Sequence, residues 1–299
     1  MKKAKRILCL CGVFLLVLAS GPIPTSKAED YYPDDVVTLT GYRHPINPLD
    51  FSDTCIALDP MTYINQNYIL KRVDGAIGTL VLFTGGDGKL GLNVENKQFG
   101  INRSTNFLVR SRHLFAAFGF NVAVMDAATD FLKCQNALGK KRKSDEHLKD
   151  IREVIKDLRL KFPGLPVWFV GISMGTISAA NAAASISPTE PGAPTGLVLI
   201  SSVTQDPGEN VLNVSLESVR VPTLIVAHEQ DECDATPPEG AAMIASRLTS
   251  ARKVKILMFS EGFSPLSGEC DALSYHGYFG IEPKTATRIA NWVIDRIVK

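Results

Sequence analysis

The sequence is short of histidine, has almost no net charge and, past its first residues, contains no apolar run long enough to cross a bilayer. Each shortage narrows what the chain can do. Five histidines in 299 residues offer little material for a metal centre, and no metal or organic cofactor is expected. A formal charge of +1 supplies no field to gather nucleic acid. The charge is also unevenly placed, because Lys2, Lys3, Lys5, Arg6 and Lys27 all fall within the first 28 residues, which hold no acid. The remainder carries 27 basic groups against 31 acidic ones. Its one basic run, Lys140 to Lys143, reads as a solvated loop. At 45% hydrophobic and 21% charged residues, the chain has the composition of one large core and none of the marks of disorder.

Residues 1–28 have the layout of a secretory signal. A basic start precedes an apolar run from Ile7 to Ala19, and Ser26-Lys27-Ala28 forms a small-x-small cleavage site. That run is shorter than the roughly 20 residues a membrane span needs. Cys9 and Cys11 lie early within it, away from the place of a lipid-modified terminal cysteine. The expectation is an exported protein, periplasmic or secreted, with one mature domain over residues 29–299 and no stable membrane span. Export also leaves Cys55, Cys134, Cys233 and Cys270 where disulfides form, with three pairings open.

From residue 78 onward, apolar β-branched runs alternate with helical patterns, as in a mostly parallel sheet covered on both faces. The runs are 79–83, 121–125, 167–170, 197–201, 223–227 and 255–259, and the helical patterns are 106–118, 145–161, 175–184, 238–248 and 284–297. Segments 36–40 and 68–73 read as antiparallel strands leading into the sheet. About 20 residues separate the runs ending near Ser202 and starting at Pro222, too few for an independent lid domain. The site is therefore expected to be open or roofed by loops.

One strand runs straight into chemistry. Val167 to Val170 leads to Gly171-Ile172-Ser173-Met174-Gly175, and a small-residue helix follows. A nucleophilic serine in a sharp strand-to-helix turn needs glycine on either side so that the backbones can approach closely. The five-residue pattern alone is weak, and its weight comes from what lies downstream. Asp231 follows the end of a strand and can reach the rear of an imidazole, and His276 follows the last strand. The chain order Ser, Asp, His is the order of this architecture. His276 is the expected general base, with Asp231 fixing its tautomer. Asp234 and Glu229 are rivals for the acid. His44, His113, His147 and His228 have ordinary structural explanations, and the cluster His228, Glu229, Asp231, Asp234 reads as a polar loop in preference to a metal site. The oxyanion donors expected are the Met174 amide and an amide in Thr84-Gly85-Gly86-Asp87-Gly88, with Gly86 favoured.

Cys233 lies two residues after the expected acid and Cys270 six before the expected base. A Cys233–Cys270 bridge would hold both loops together, with Cys55 then joined to Cys134. Other pairings stay open at this level.

Taken together, these residues resemble the α/β-hydrolase superfamily from about residue 76 to the carboxy terminus. The segments Leu82 to Gly88, Val170 to Thr176, His228 to Cys233 and Cys270 to Gly277 are similar to those of small exported bacterial α/β hydrolases. The resemblance implies an α/β-hydrolase fold without a large lid, a triad and hydrolysis of a small-molecule acyl substrate, most simply a carboxylic ester. Peptidase and acyltransferase chemistry are alternatives on the same triad, and a catalytically silent binding protein is the alternative from another class. Thr84-Gly85 stands where a His-Gly pair is common in the superfamily.

Overall fold

Side chains along each strand of the central sheet alternate between two apolar layers, and that alternation sets the architecture. The computed structural model describes residues 34–47, 55, 56, 58, 59, 61–92 and 105–297, so the expected signal, residues 1–28, lies outside the described residues. Eight strands, β1 (Asp35–Thr40), β2 (Asn65–Lys71), β3 (Gly78–Phe83), β4 (Phe120–Met125), β5 (Val167–Ile172), β6 (Gly196–Ile200), β7 (Thr223–His228) and β8 (Val254–Phe259), form one sheet. Their order is β1-β2-β4-β3-β5-β6-β7-β8. β1 pairs antiparallel with β2 and β2 with β4, and every other pairing is parallel.

Val81, Phe83, Val167 and Phe169 point to one layer, while Leu80, Leu82, Trp168 and Val170 point to the other, as the period of two requires. Helices α2 (Asp145–Lys161), α3 (Gly175–Ser185) and α4 (Gly240–Arg247) cover the first face. Helices α1 (Phe107–Ala117) and α5 (Glu282–Ile297) cover the second, where Trp292 meets the fully buried Trp168 edge-on at 5.5 Å. This mostly parallel sheet between two helical layers is the architecture the sequence predicts. The connection between β6 and β7 holds only two short 3₁₀ turns, Val211–Asn213 and Leu216–Ser218. Among the described residues, no helix is long and apolar enough to cross a membrane.

Two departures from the sequence reading have physical causes. β2 begins at Asn65, ahead of the expected Tyr68, because polar residues there find partners inside the sheet. Thr38 Oγ1 donates to Asn67 Oδ1 at 2.8 Å, and the buried Gln66 donates through Nε2 to the carbonyls of Asn67 and Asp126. α5 starts at Glu282, two residues early, since Pro283 is well suited to a first helical turn that needs no N–H donor.

The segment between β4 and α2 also carries more structure than a loop. Its 3₁₀ turns Phe131–Lys133 and Gly139–Lys141 enclose a third apolar cluster around Ile46, Ile64, Phe131 and Leu138. The Cys55–Cys134 disulfide joins it to the amino-terminal segment. Arg43 reaches into the same region and bonds both Asp130 and Asp150, at 2.5 and 2.6 Å, with all three side chains buried. Removal of one partner from such a buried set costs about 3–5 kcal/mol, because the remaining charge is left unpaired.

The basic run 140–143 is not the solvated loop that its charge suggests. Lys141 and Arg142 are fully buried, and only Lys140 is exposed. The 3₁₀ turn ends at Arg142 with a helical backbone, and the adjacent pair Lys141 and Arg142 faces inward.

Candidate active site

Ser173 occupies the turn between β5 and α3 with φ +53, a left-handed conformation that a non-glycine residue adopts only when its surroundings hold it there. The constraints are visible. Ser173 N donates to Ile200 O at 3.0 Å, and Ser173 O accepts from Thr176 N at 3.0 Å and Thr176 Oγ1 at 2.6 Å. The flanking glycines allow the close approaches. A Cβ on Gly171 would sit 2.5 Å from Gly175 O, and one on Gly175 would sit 2.1 Å from Phe83 O. Gly175 is therefore fixed by the neighbouring strand β3 as well as by β5.

Asp231 follows β7 and turns back through a hydrogen bond from its own N–H to His228 O. Its Oδ1 accepts from Cys233 N at 3.1 Å, and its Oδ2 lies 3.0 Å from both Thr236 Oγ1 and His276 Nδ1. A carboxylate can only accept, so the Nδ1 facing it carries the proton and Nε2 is left as the free acceptor of the ring. Asp231, Thr236 and His276 are all buried. The rivals Glu229 and Asp234 are exposed.

His276 lies in a short 3₁₀ turn, Tyr275–Gly277, that is held from two sides. Ser201 Oγ donates to His276 O at 3.1 Å, and Arg110 Nη2 donates to Gly277 O at 2.6 Å. His228, one of the alternative histidines, stacks on Tyr275 with ring centroids 5.0 Å apart. Both of its nitrogens are engaged, Nδ1 accepting from Gln230 N and Nε2 donating to Glu261 O.

Ser173 and His276 line one pocket of about 510 Å³, together with Gly85, Gly86, Cys270 and Asp271. No hydrogen bond among the described residues joins Ser173 Oγ to His276. Such contacts commonly tighten only in the substrate complex. The Cys233–Cys270 disulfide spans from the Asp231 turn to the pocket wall.

The residues expected to supply oxyanion donors flank the serine. Met174 caps the amino terminus of α3, where helix N–H groups point outward and favour negative charge. Gly86 has φ +58, and Gly85 lies so close that a Cβ there would approach Ser173 Cβ to 2.9 Å. Among the described residues, neither the Met174 nor the Gly86 amide donates to a protein acceptor.

Sequence reasoning missed two residues here. Thr236 is one, an ordinary threonine by any local pattern, although a hydroxyl five residues beyond the acid is a usable signal. Arg142 is the other. Its guanidinium donates to Thr84 O at 3.0 Å, Gly86 O at 2.9 Å and Ser178 Oγ at 2.9 Å. His147, also fully buried, meets Ser178 Oγ at 3.0 Å. Burial, reinforced by Arg142 and Arg43, pushes the His147 pKa down to about 3, so its ring stays neutral.

Comparison with known proteins agrees with this geometry at the level of the fold. A family model described as serine aminopeptidase, S33 matches residues 100–226, a window that holds Ser173 but stops short of Asp231 and His276. No curated protein matches the sequence. Among solved structures, a sugar hydrolase from Lactococcus lactis is similar with a TM-score of 0.54 at 16% identity, covering 82% of this chain and 98% of that one. A thermostable carboxyl esterase from Bacillus coagulans gives 0.52 at 13%, with coverage of 88% and 99%. Est1E from Butyrivibrio proteoclasticus gives 0.51 at 13%, with coverage of 83% and 99%.

Proposed function

We propose that the chain, which has an α/β-hydrolase fold and matches a hydrolase family model over residues 100–226, is a serine hydrolase of the α/β-hydrolase superfamily with Ser173, His276 and Asp231 as its triad and a carboxylic ester as its substrate. The observation that carries the proposal is a strained Ser173 sharing a pocket with a buried histidine whose Nδ1 is held by a carboxylate. In the proposed reaction, His276 Nε2 takes the Ser173 proton as Oγ attacks the acyl carbon. The Met174 and Gly86 amides receive the charge that develops on the carbonyl oxygen. Collapse of the adduct expels the alcohol, protonated by His276, and leaves an acyl-enzyme. Water then repeats the sequence and releases the acid.

Hydrolysis of an amino-terminal peptide bond is the second reading. The description of the matching family favours it, and Asp271 at the pocket wall offers an acid that an α-ammonium could meet. The disulfides fit an exported protein, and the domain plan of a signal over residues 1–28 ahead of one hydrolase domain is part of the same proposal.

A fluorophosphonate probe tests the triad. Wild-type protein should be labelled and Ser173→Ala should not, and equal labelling of the two would remove Ser173 from the reaction. Parallel assays with p-nitrophenyl esters and aminoacyl p-nitroanilides then separate the readings, since faster turnover of the anilides would overturn the ester assignment.

A further inference from the structure

We infer that Arg142 is a positioning residue for oxyanion stabilisation, holding the Thr84–Gly88 loop against the helix that begins at the nucleophile. The inference rests on the serine-hydrolase reading above and concerns a residue that no sequence pattern singles out.

A single guanidinium bonds two structures that must stay in register. Nη1 reaches Ser178 Oγ, on α3 five residues beyond Ser173, and Nη2 reaches Thr84 O and Gly86 O on the loop after β3. Arginine suits the task because its planar fork presents several donors in fixed directions.

The bonds fall where they control one amide. Thr84 O and Gly86 O belong to the peptide units on either side of the unit that carries Gly86 N–H. The Gly86 N–H unit itself is held through its other end, where Gly85 O accepts from Gly88 N at 3.3 Å. In a trans peptide the N–H points away from the carbonyl, so that bond also fixes the direction of Gly86 N–H. Three consecutive peptide planes are thereby set, the outer two by Arg142. The Gly86 backbone, at φ +58, has no side chain to anchor it, and Gly85 is packed against Ser173. A loop of this composition needs an outside clamp to hold a donor to the fraction of an ångström that transition-state stabilisation demands.

Neighbouring chemistry keeps the clamp in place. Ser178 Oγ accepts from Arg142 and also meets His147, which burial keeps neutral, so the imidazole adds no positive charge beside the guanidinium. Gly88 lies close enough that a Cβ there would come within 3.3 Å of Arg142 Nη2.

The test compares the wild type with Arg142→Lys, Arg142→Gln and Arg142→Met, each corrected to active sites by fluorophosphonate labelling run to completion. With a soluble ester, kcat should fall about a hundredfold in the Gln and Met variants while KM stays within about threefold. The Ki of a boronic acid, which forms a tetrahedral adduct on the serine, should rise by the factor that kcat/KM falls. Arg142→Lys should lie between, since it keeps the charge and loses the fork. A folded Met or Gln variant with kcat near the wild-type value overturns the inference. So does a loss of kcat with an unchanged boronate Ki, or failure of all three variants to fold, which would mark Arg142 as purely structural. A wild-type protein that is not labelled at Ser173 sinks the hydrolase reading itself, and the inference falls with it.

Discussion

His276 Nδ1 lies 3.0 Å from Asp231 Oδ2, and the same carboxylate oxygen takes the Thr236 hydroxyl at the same distance. This pairing selects the tautomer with Nε2 free for the serine. Replacement of Asp231 by asparagine offers an amide that can present its NH₂ to the ring and favour the wrong tautomer. Asp231→Asn should lower kcat about ten-thousandfold with the fold intact, and His276→Ala should cost several orders of magnitude. Steady-state ester hydrolysis, with circular dichroism as the control, measures both. Near-normal turnover in either variant would take that residue out of the triad.

The two disulfides should separate into different phenotypes. Cys233–Cys270 links the acid turn to the pocket wall, and its removal in a Cys233→Ser, Cys270→Ser variant should lower kcat/KM about a hundredfold through loss of geometry. Cys55–Cys134 joins residues 79 apart, and its double serine variant should lose about 2–5 kcal/mol of stability with kcat per folded molecule nearly unchanged. Urea unfolding and kinetics on both variants give the comparison, and equal effects would contradict it.

Acid should weaken the fold through His147. Its pKa is pushed down to about 3 in the folded state against an ordinary 6.5, so below that ordinary value the unfolded chain binds the extra proton. Stability is fully present above about pH 6.5 and is lost at about 1.4 kcal/mol per unit as the pH falls. Between pH 7.5 and 5 the loss from this group is about 2 kcal/mol. Urea midpoints at the two pH values, for wild type and His147→Gln, should show a smaller drop in the variant.

Gly175→Ala should be among the most damaging single-methyl changes in the chain. The added Cβ would fall 2.1 Å from Phe83 O, and backbone on a central strand cannot retreat as a flexible side chain can. A cost of about 3 kcal/mol or more is expected, read as lost soluble yield or a lowered Tm. A variant as stable as the wild type would show that the helix has room to shift.

Much of the fold is legible because its signal is periodic. The strands from residue 78 onward announce themselves through runs of β-branched residues, and the helices through apolar spacing. β2 is less visible, since Asn65, Gln66 and Asn67 look like loop residues until their amides meet cross-strand partners. The proposed elbow, acid and base stand in the sequence as an ordered set of residues, because strand ends deliver them and chain order relates them. What holds them is harder to see. Thr236 meets His276 40 positions away, and Arg142 meets Ser178, Gly86 and Thr84 at 36, 56 and 58 positions, and composition alone encodes none of these contacts. A run of four cations has the same composition whether its members face water or a carbonyl cage.

That last ambiguity bears on how the surface can be engineered. Of Lys140, Lys141, Arg142 and Lys143, the middle two are buried, while Lys140 is exposed and the half-buried Lys143 pairs with the buried Glu209. A formulation chemist adjusting net charge would see four equivalent positions. Only Lys140 is a dial for solubility, whereas exchange of the inner pair exchanges parts of the frame and exchange of Lys143 leaves the Glu209 carboxylate without its cation, so tolerance to substitution should switch within a single residue along the run.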